Sequence, residues 1–265
     1  MRQVVLVAGA VFRESVRDRV PYSMVLFAVG LMAASFLISQ LTAGQDLKII
    51  KDLGLAALSL FGMLIAIFLG IGLVSKEVER KSIFGLLAKP ITRAQLVIGK
   101  YAGLVATLVI NLTVMTLAFY AVLAYMSYSI PAVPGRPAAL DPRMLIAIVL
   151  IVAEVAVITA VALFFSTFSS PLLSAVLTLG LWVAGHFNAD LRNFGDVVDS
   201  PSVAAIARGL YYTLPNLAPF DVKAEVVYGM PISLRHVVLT LLYAVLYASV
   251  LLMASVAIFR RRDFK

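Results

Sequence analysis

Six apolar runs separated by short polar segments organise this 265-residue chain. They are Tyr22 to Gln40, Leu55 to Val74, Leu96 to Ser127, Met144 to Thr167, Leu172 to Phe187 and Val237 to Phe259, and the only formal charges inside them are Lys100 and Glu154. A run of about 20 apolar residues is the length that carries a helix across the hydrocarbon core of a bilayer. The pattern therefore predicts an all-α, polytopic membrane fold with six transmembrane helices. The fifth run is the shortest, which calls either for a tilted neighbour packed over it or for a span that continues past Phe187.

The polar segments carry their own patterns. Residues 1–20 hold an apolar stretch from Val4 to Phe12, flanked by Arg2 on one side and Arg13, Arg17 and Arg19 on the other. A secretory signal places its positive charge before its apolar part, so this flank is wrong for one. A helix lying in the membrane interface fits the pattern, and a solvated leader is the plainer alternative. Residues 75–95 form a charged, helix-forming island: Lys76, Glu77, Glu79, Arg80 and Lys81, then apolar Ile83, Phe84, Leu86 and Leu87. Pro90 disfavours helix at Lys89 and breaks the island. A second helix starts directly after it. Thr92 and Gln95 have capping-box spacing, and Ile91 and Leu96 are placed as the hydrophobic staple that fixes the entry angle.

Residues 188–235 read as helical pieces with breaks. Ser200-Pro201 predicts a helix start, Val203 to Tyr212 the helix itself, and Pro215, Asn216 and Pro219 its interruption, with a second short helix over Phe220 to Tyr228. Tyr211, Tyr212, Phe220 and Tyr228 suit the headgroup zone. The turn from Ser129 to Arg143 contains Pro131, Pro134, Pro137 and Pro142 and predicts a semi-rigid connection.

Composition agrees with a membrane protein: 62% hydrophobic residues, 14% charged, and a mean hydropathy of +1.01. Charge then sets the orientation. Alternate polar segments carry Arg2, Arg13, Arg17 and Arg19, then Lys76, Arg80, Lys81, Lys89, Arg93 and Lys100, then Arg260, Arg261, Arg262 and Lys265, fourteen of the 22 basic residues. The positive-inside rule puts these segments, and with them both termini, in the cytosol. The net charge of +8 is accounted for by topology and by contact with anionic headgroups. It carries no argument for nucleic acid.

Cysteine is absent, which removes thiolate metal sites and disulfides. His186 and His236 stand far apart in the sequence, each near a span boundary, and read as hydrogen-bonded boundary residues. No phosphate-cradling G-x-x-x-x-G-K-[ST] occurs, and Gly70-Ile71-Gly72 lies inside an apolar run where it reads as helix packing. Gly99 and Gly103 form a G-x-x-x-G pair that permits close helix approach, within the chain in preference to a dimer seam. Ser174, Ala175, Thr178 and Gly180 make a second small-residue face.

Glu154 is the intramembrane candidate. A carboxylate amid Ile151, Val152, Ala153 and Val155 costs about 2.5 kcal/mol or more facing lipid, so it should face protein, water or a partner. Asn111, Thr113, Tyr243 and Tyr247 are candidate partners. A role in function and a role in helix packing alone both remain open.

Glu77, Glu79, Arg80, Ser82, Leu86-Leu87, Pro90, Ile91-Thr92-Arg93 and Gly99-Lys100 together resemble the signature between the second and third spans of ABC-2-type transporter permeases. The basic leader, six spans, long segment between the fifth and sixth, and basic tail extend the resemblance over nearly the whole chain. Gly85 departs from it, standing where many members carry a polar or acidic helix former, and loosens the helix there. The runs Leu47 to Leu55 and Tyr211 to Gly229 are most similar to the permeases beside copper-processing and gliding-type systems.

The resemblance implies that residues 1–265 form a single permease domain, with a cytosolic coupling segment at 75–95 and outer helices at 188–235 that dip back into the membrane. It implies a homodimer with the first and fifth spans at the seam, in the cell membrane, served by a pair of cytosolic ATPase subunits. ATP and magnesium would be bound by those subunits, leaving this chain without cofactor or catalytic residue. Glu77, Glu79, Arg80, Ile83, Phe84, Leu86, Leu87, Pro90 and Arg93 are then the ATPase-coupling residues, and transport is expected outward. The scarcity of polar groups in the spans favours a lipidic, amphipathic or peptide-like cargo. Two other classes remain: a proton-coupled secondary transporter using Glu154, and a scaffold or sensor working with an ATPase.

Overall fold

A computed structural model describes residues 2–39, 46–79, 92–129, 140–188 and 214–261, with residues 202, 203, 205, 208, 209 and 211 between them. Eight α-helices and one 3-10 turn are delimited among these residues: α1 (Arg2–Arg17), α2 (Arg19–Ser39), α3 (Asp46–Glu79), α4 (Arg93–Ser129), α5 (Arg143–Ser166), α6 (Pro171–His186), the 3-10 turn Ala218–Phe220, α7 (Lys223–Val227) and α8 (Leu234–Arg261). Among the described residues each of the six apolar runs falls on one helix, the fourth and fifth runs ending one residue past theirs. Leu47–Ile71, Arg93–Tyr128, Arg143–Ser166 and Leu234–Phe259 are long and apolar enough to cross a membrane, while Pro171–His186 and the apolar part of α2 are shorter.

α5 is the axis of the bundle. It is apolar on all sides, the mark of a helix enclosed by others, and it touches α3, α4, α6, α7 and α8. Met144, Ala147, Leu150, Val157, Ile158, Ala160 and Val161 are fully buried along it. α3 packs on α4 and α5 at close range: a Cβ on Gly54 would overlap the Phe119 ring, and one on Gly70 would sit 2.7 Å from the Ala162 Cβ. The packing role expected of Gly70 is thus observed.

Local chemistry sets the helix ends. The Asp18 carboxylate accepts from the Val20 N–H at 3.3 Å and starts α2 after a one-residue break, as an N-cap does. Pro171 opens α6 at its first position, where its missing N–H costs nothing. α7 ends in a Schellman motif: the Met230 N–H bonds Glu225 O at 2.7 Å and the Gly229 N–H bonds Val226 O at 3.1 Å. Gly229 has φ of 72°, which the motif needs and a side chain would resist.

Two hydropathy expectations shift. α3 begins at Asp46, well before the apolar run, so Lys48, Lys51 and Asp52 lie on the helix. Lys51 is only 1% exposed, and the Lys48 ammonium sits 5.0 Å from the centre of the Tyr228 ring. Helical hydrogen bonding continues past the point where apolar sequence ends, because the ladder does not need apolar side chains. The short helix expected over Phe220 to Tyr228 is split into the 3-10 turn and α7 by Asp221 and Val222.

The expected interfacial helix α1 is observed as a helix, and its seat is the G-x-x-x-G pair. A Cβ on Gly99 would lie 2.7 Å from Val7 Cβ, and one on Gly103 would lie 2.6 Å from Ala8 O. Val7 and Val11 are buried in this contact while Val5 and Leu6 point outward, 69% and 65% exposed. The glycines therefore serve packing within the chain.

Candidate functional site

Glu154 stands eleven residues into α5 and twelve before its end, which places it about 16 to 18 Å from either end at 1.5 Å per residue. Its side chain is 2% exposed. α6, running back along α5, brings a polar face to it. Ser174, Thr178, Trp182 and His186 recur at four-residue spacing, which stacks them on one side of a helix, and Ser174 and Thr178 are fully buried. The Trp182 indole Nε1–H donates to Glu154 Oε1 at 2.8 Å. His186 Nε2 lies 3.4 Å from the same oxygen, and the Trp182 and His186 rings meet edge to face with centroids 4.8 Å apart. His186 Nδ1 is 3.0 Å from the Trp182 carbonyl. Glu154 Oε2 is buried with no hydrogen-bond partner among the described residues.

These partners correct the sequence expectation. Thr113 bonds the Val109 carbonyl of its own helix at 2.6 Å. The Tyr243 hydroxyl accepts the Asn216 N–H at 2.9 Å. Tyr247 stacks on Tyr243 with centroids 5.7 Å apart, and no contact joins Asn111 to Glu154 among those described. His186, expected as an isolated boundary residue, belongs to the Glu154 cluster. The sequence does carry a signal for it, the four-residue ladder in the fifth apolar run, whose first two members, Ser174 and Thr178, belong to the small-residue face.

Residues 215–217 pack on the end of α6 beside this cluster. The Leu217 N–H bonds the Gly185 carbonyl at 2.9 Å, and a Cβ on Gly185 would strike Leu217 Cδ1 at 2.8 Å and Pro215 O at 2.9 Å. Leu217 and Phe220 are fully buried. Higher up, His236 Nε2 meets Pro219 O at 2.8 Å and Arg143 Nη1 donates to Gly229 O at 2.6 Å.

At the opposite end of the bundle α3 ends at Glu79 and α4 begins at Arg93, on either side of the charged island. Arg80, Ile83, Phe84, Leu86, Leu87 and Pro90 lie outside the described residues, and Glu77 and Glu79 are placed only as backbone on the last turn of α3. The exit from the island is described from Thr92 onward, so Ile91 of the expected staple also lies outside the described residues. Gln95 Oε1 accepts the Thr92 N–H at 3.0 Å and Thr92 Oγ1 accepts the Gln95 N–H at 3.3 Å, the reciprocal capping box expected from the sequence. Arg93 Nη1 donates to the Phe259 carbonyl at 2.8 Å, so the first turn of α4 is tied to the last turns of α8. Next to it, Lys100 is 4% exposed.

Comparison with known families bears on the whole of this architecture, since residues 6–264 match the family described as ABC-2 family transporter protein. The chain belongs to that family. No curated protein matches it. As an ABC-2 permease the chain is a membrane subunit of an ABC transporter, a multi-pass component distinct from the ATPase, and members of the family generally work with cytosolic ABC ATPase partners. Among the described residues the Glu154 cluster joins buried Lys51 and Lys100 as a departure from plain apolar packing.

Proposed function

We propose that this permease is the membrane half of an ATP-driven exporter, and that a cytosolic ATPase docks on residues 75–95 and drives α3 and α4 from there. The observation that carries this reading is the exit from the island. A capping box holds the start of α4 and Arg93 ties it to α8, while α3 runs unbroken through 34 residues into the island's entrance. A push on the island is therefore delivered to rigid helix ends instead of being absorbed by a slack loop. Ile83, Phe84, Leu86 and Leu87 supply the apolar contact with the ATPase. Glu77, Glu79 and Arg80 supply rim charges that set register more than affinity, and Pro90 ends the docking helix.

The remaining features fit the same arrangement. The fourteen basic residues of the alternate segments, with the island and both termini, face the cytosol of a cell membrane. On the outer side, Tyr243 is nine residues into α8, about 13 Å below its start, and it binds Asn216, so the segment around Asn216 descends into the bilayer as a re-entrant piece. A second copy covers α2 and α6, where Leu26, Phe27, Leu172 and Val176 are between 59% and 78% exposed. Two ATPase subunits carry the ATP and magnesium. The cargo is amphipathic, lipidic or peptide-like, moved outward.

The test is capture of the ATPase. Permease purified from native membranes brings down an ATP-binding subunit, and Leu86→Asp combined with Leu87→Asp abolishes the capture by putting two charges into its apolar contact. Uptake driven by a pH gradient in vesicles holding this chain alone would instead favour a secondary transporter.

A further inference from the structure

Proton counting at the Glu154 cluster leads beyond the docking of an ATPase. The Trp182 carbonyl can only accept a hydrogen bond, so His186 Nδ1, 3.0 Å from it, carries the ring's N–H. In the neutral imidazole Nε2 is then a bare lone pair, and that lone pair faces Glu154 Oε1 at 3.4 Å. Oε1 already acts as acceptor toward the Trp182 indole at 2.8 Å. Two acceptors directed at each other repel, and beside a carboxylate only 2% exposed the contact is held only with a proton shared by the two groups. Two placements satisfy the count: imidazolium donating to carboxylate, or neutral imidazole accepting from a carboxylic acid whose O–H is on Oε1, which keeps a lone pair for the Trp182 indole.

We propose that Glu154 and His186 form one proton-binding site at mid-depth between α5 and α6, and that the presence of its proton decides whether α6 stays clamped to α5. The structural consequence passes through Gly185. Its carbonyl holds Leu217, so loosening the end of α6 also loosens the segment from Pro215 to Phe220 that packs on it. The other charged and titratable groups around it are few. Asp221 and Lys223 are paired with each other at 3.3 Å. α8 brings Tyr243 and Tyr247, and α4 brings Tyr101, whose hydroxyl is engaged by the Ala156 carbonyl at 3.3 Å. The charges of α3 lie in its first two and its last turns.

The chain supplies its own probe, because Trp182 is its only tryptophan and touches both groups. Intrinsic fluorescence of the purified full-length protein in lipid nanodiscs is followed from acid to alkaline pH. The expected result is a reversible transition with the slope of a single proton. Its midpoint moves by about one pH unit or more, a tenfold change in proton affinity, in Glu154→Gln and again in His186→Gln, and the transition disappears in the double variant. A flat wild-type titration overturns the proposal without any substitution. So does a midpoint unmoved in either single variant, or a transition that survives in the double variant while circular dichroism shows the helices intact. ATPase capture is read separately, so a failure here leaves the docking assignment standing.

Discussion

At the scale of the residue, the chemistry of this permease is concentrated where an apolar helix tolerates a polar face. Trp182 is the clearest case. Its indole is the one described donor to Glu154, and replacing it by Phe keeps the ring while leaving a buried acceptor without that bond. An unsatisfied buried group costs about 1–3 kcal/mol, so Trp182→Phe should lower stability by that amount, read as earlier loss of the monodisperse peak in size-exclusion runs after stepwise heating. An unchanged profile would mean that the bond contributes nothing to holding α6. Glu154 itself was legible in the sequence as an expensive charge in an apolar run, and its burial follows from that cost. Its partners were not legible. Tyr243 and Thr113 are equally polar in the sequence, and only the packing of α6 against α5 selects Trp182 and His186 over them.

Among elements, the seat of α1 is the contact that sequence spacing described best. Gly99 and Gly103 announce a close helix approach, and the amphipathic leader provides the valines that fill it. Gly103→Val should force α1 away, because a Cβ at that position already lies 2.6 Å from a backbone oxygen of α1, which cannot rotate aside as a side chain can. Overpacking of this kind costs about 1–3 kcal/mol, and limited trypsin digestion should cut faster at Arg13 and Arg17. Gly9→Ala is the contrasting substitution. Nothing lies within 4 Å of its Cβ, so it should leave digestion unchanged or slow it, with about 1 kcal/mol gained from helix propensity. The capping box at Thr92 and Gln95 was equally legible because its partners are three residues apart. The bond from Arg93 to Phe259 spans 166 positions, and no local pattern announces it.

For the molecule as a whole, orientation and assembly are the quantities to measure, and the absence of cysteine makes single-cysteine variants clean reporters. Ser82→Cys and Lys265→Cys should react with an impermeant maleimide only in inside-out vesicles, Tyr228→Cys only in right-side-out ones. Labelling of Ser82→Cys from the outer side would remove the island from reach of any cytosolic ATPase. By itself the sequence determined the helical class, the six apolar runs, the places where helices start, and the family, because each rests on composition or on residues at most a few positions apart. The tertiary structure decided which face of α6 meets Glu154, that α1 fills the glycine groove, and that the chain after α6 turns back to bury Leu217 and Phe220. Those depend on which helices become neighbours. In an apolar solvent any of six similar surfaces can pack on another, and only the summed fit of side chains in three dimensions selects among them.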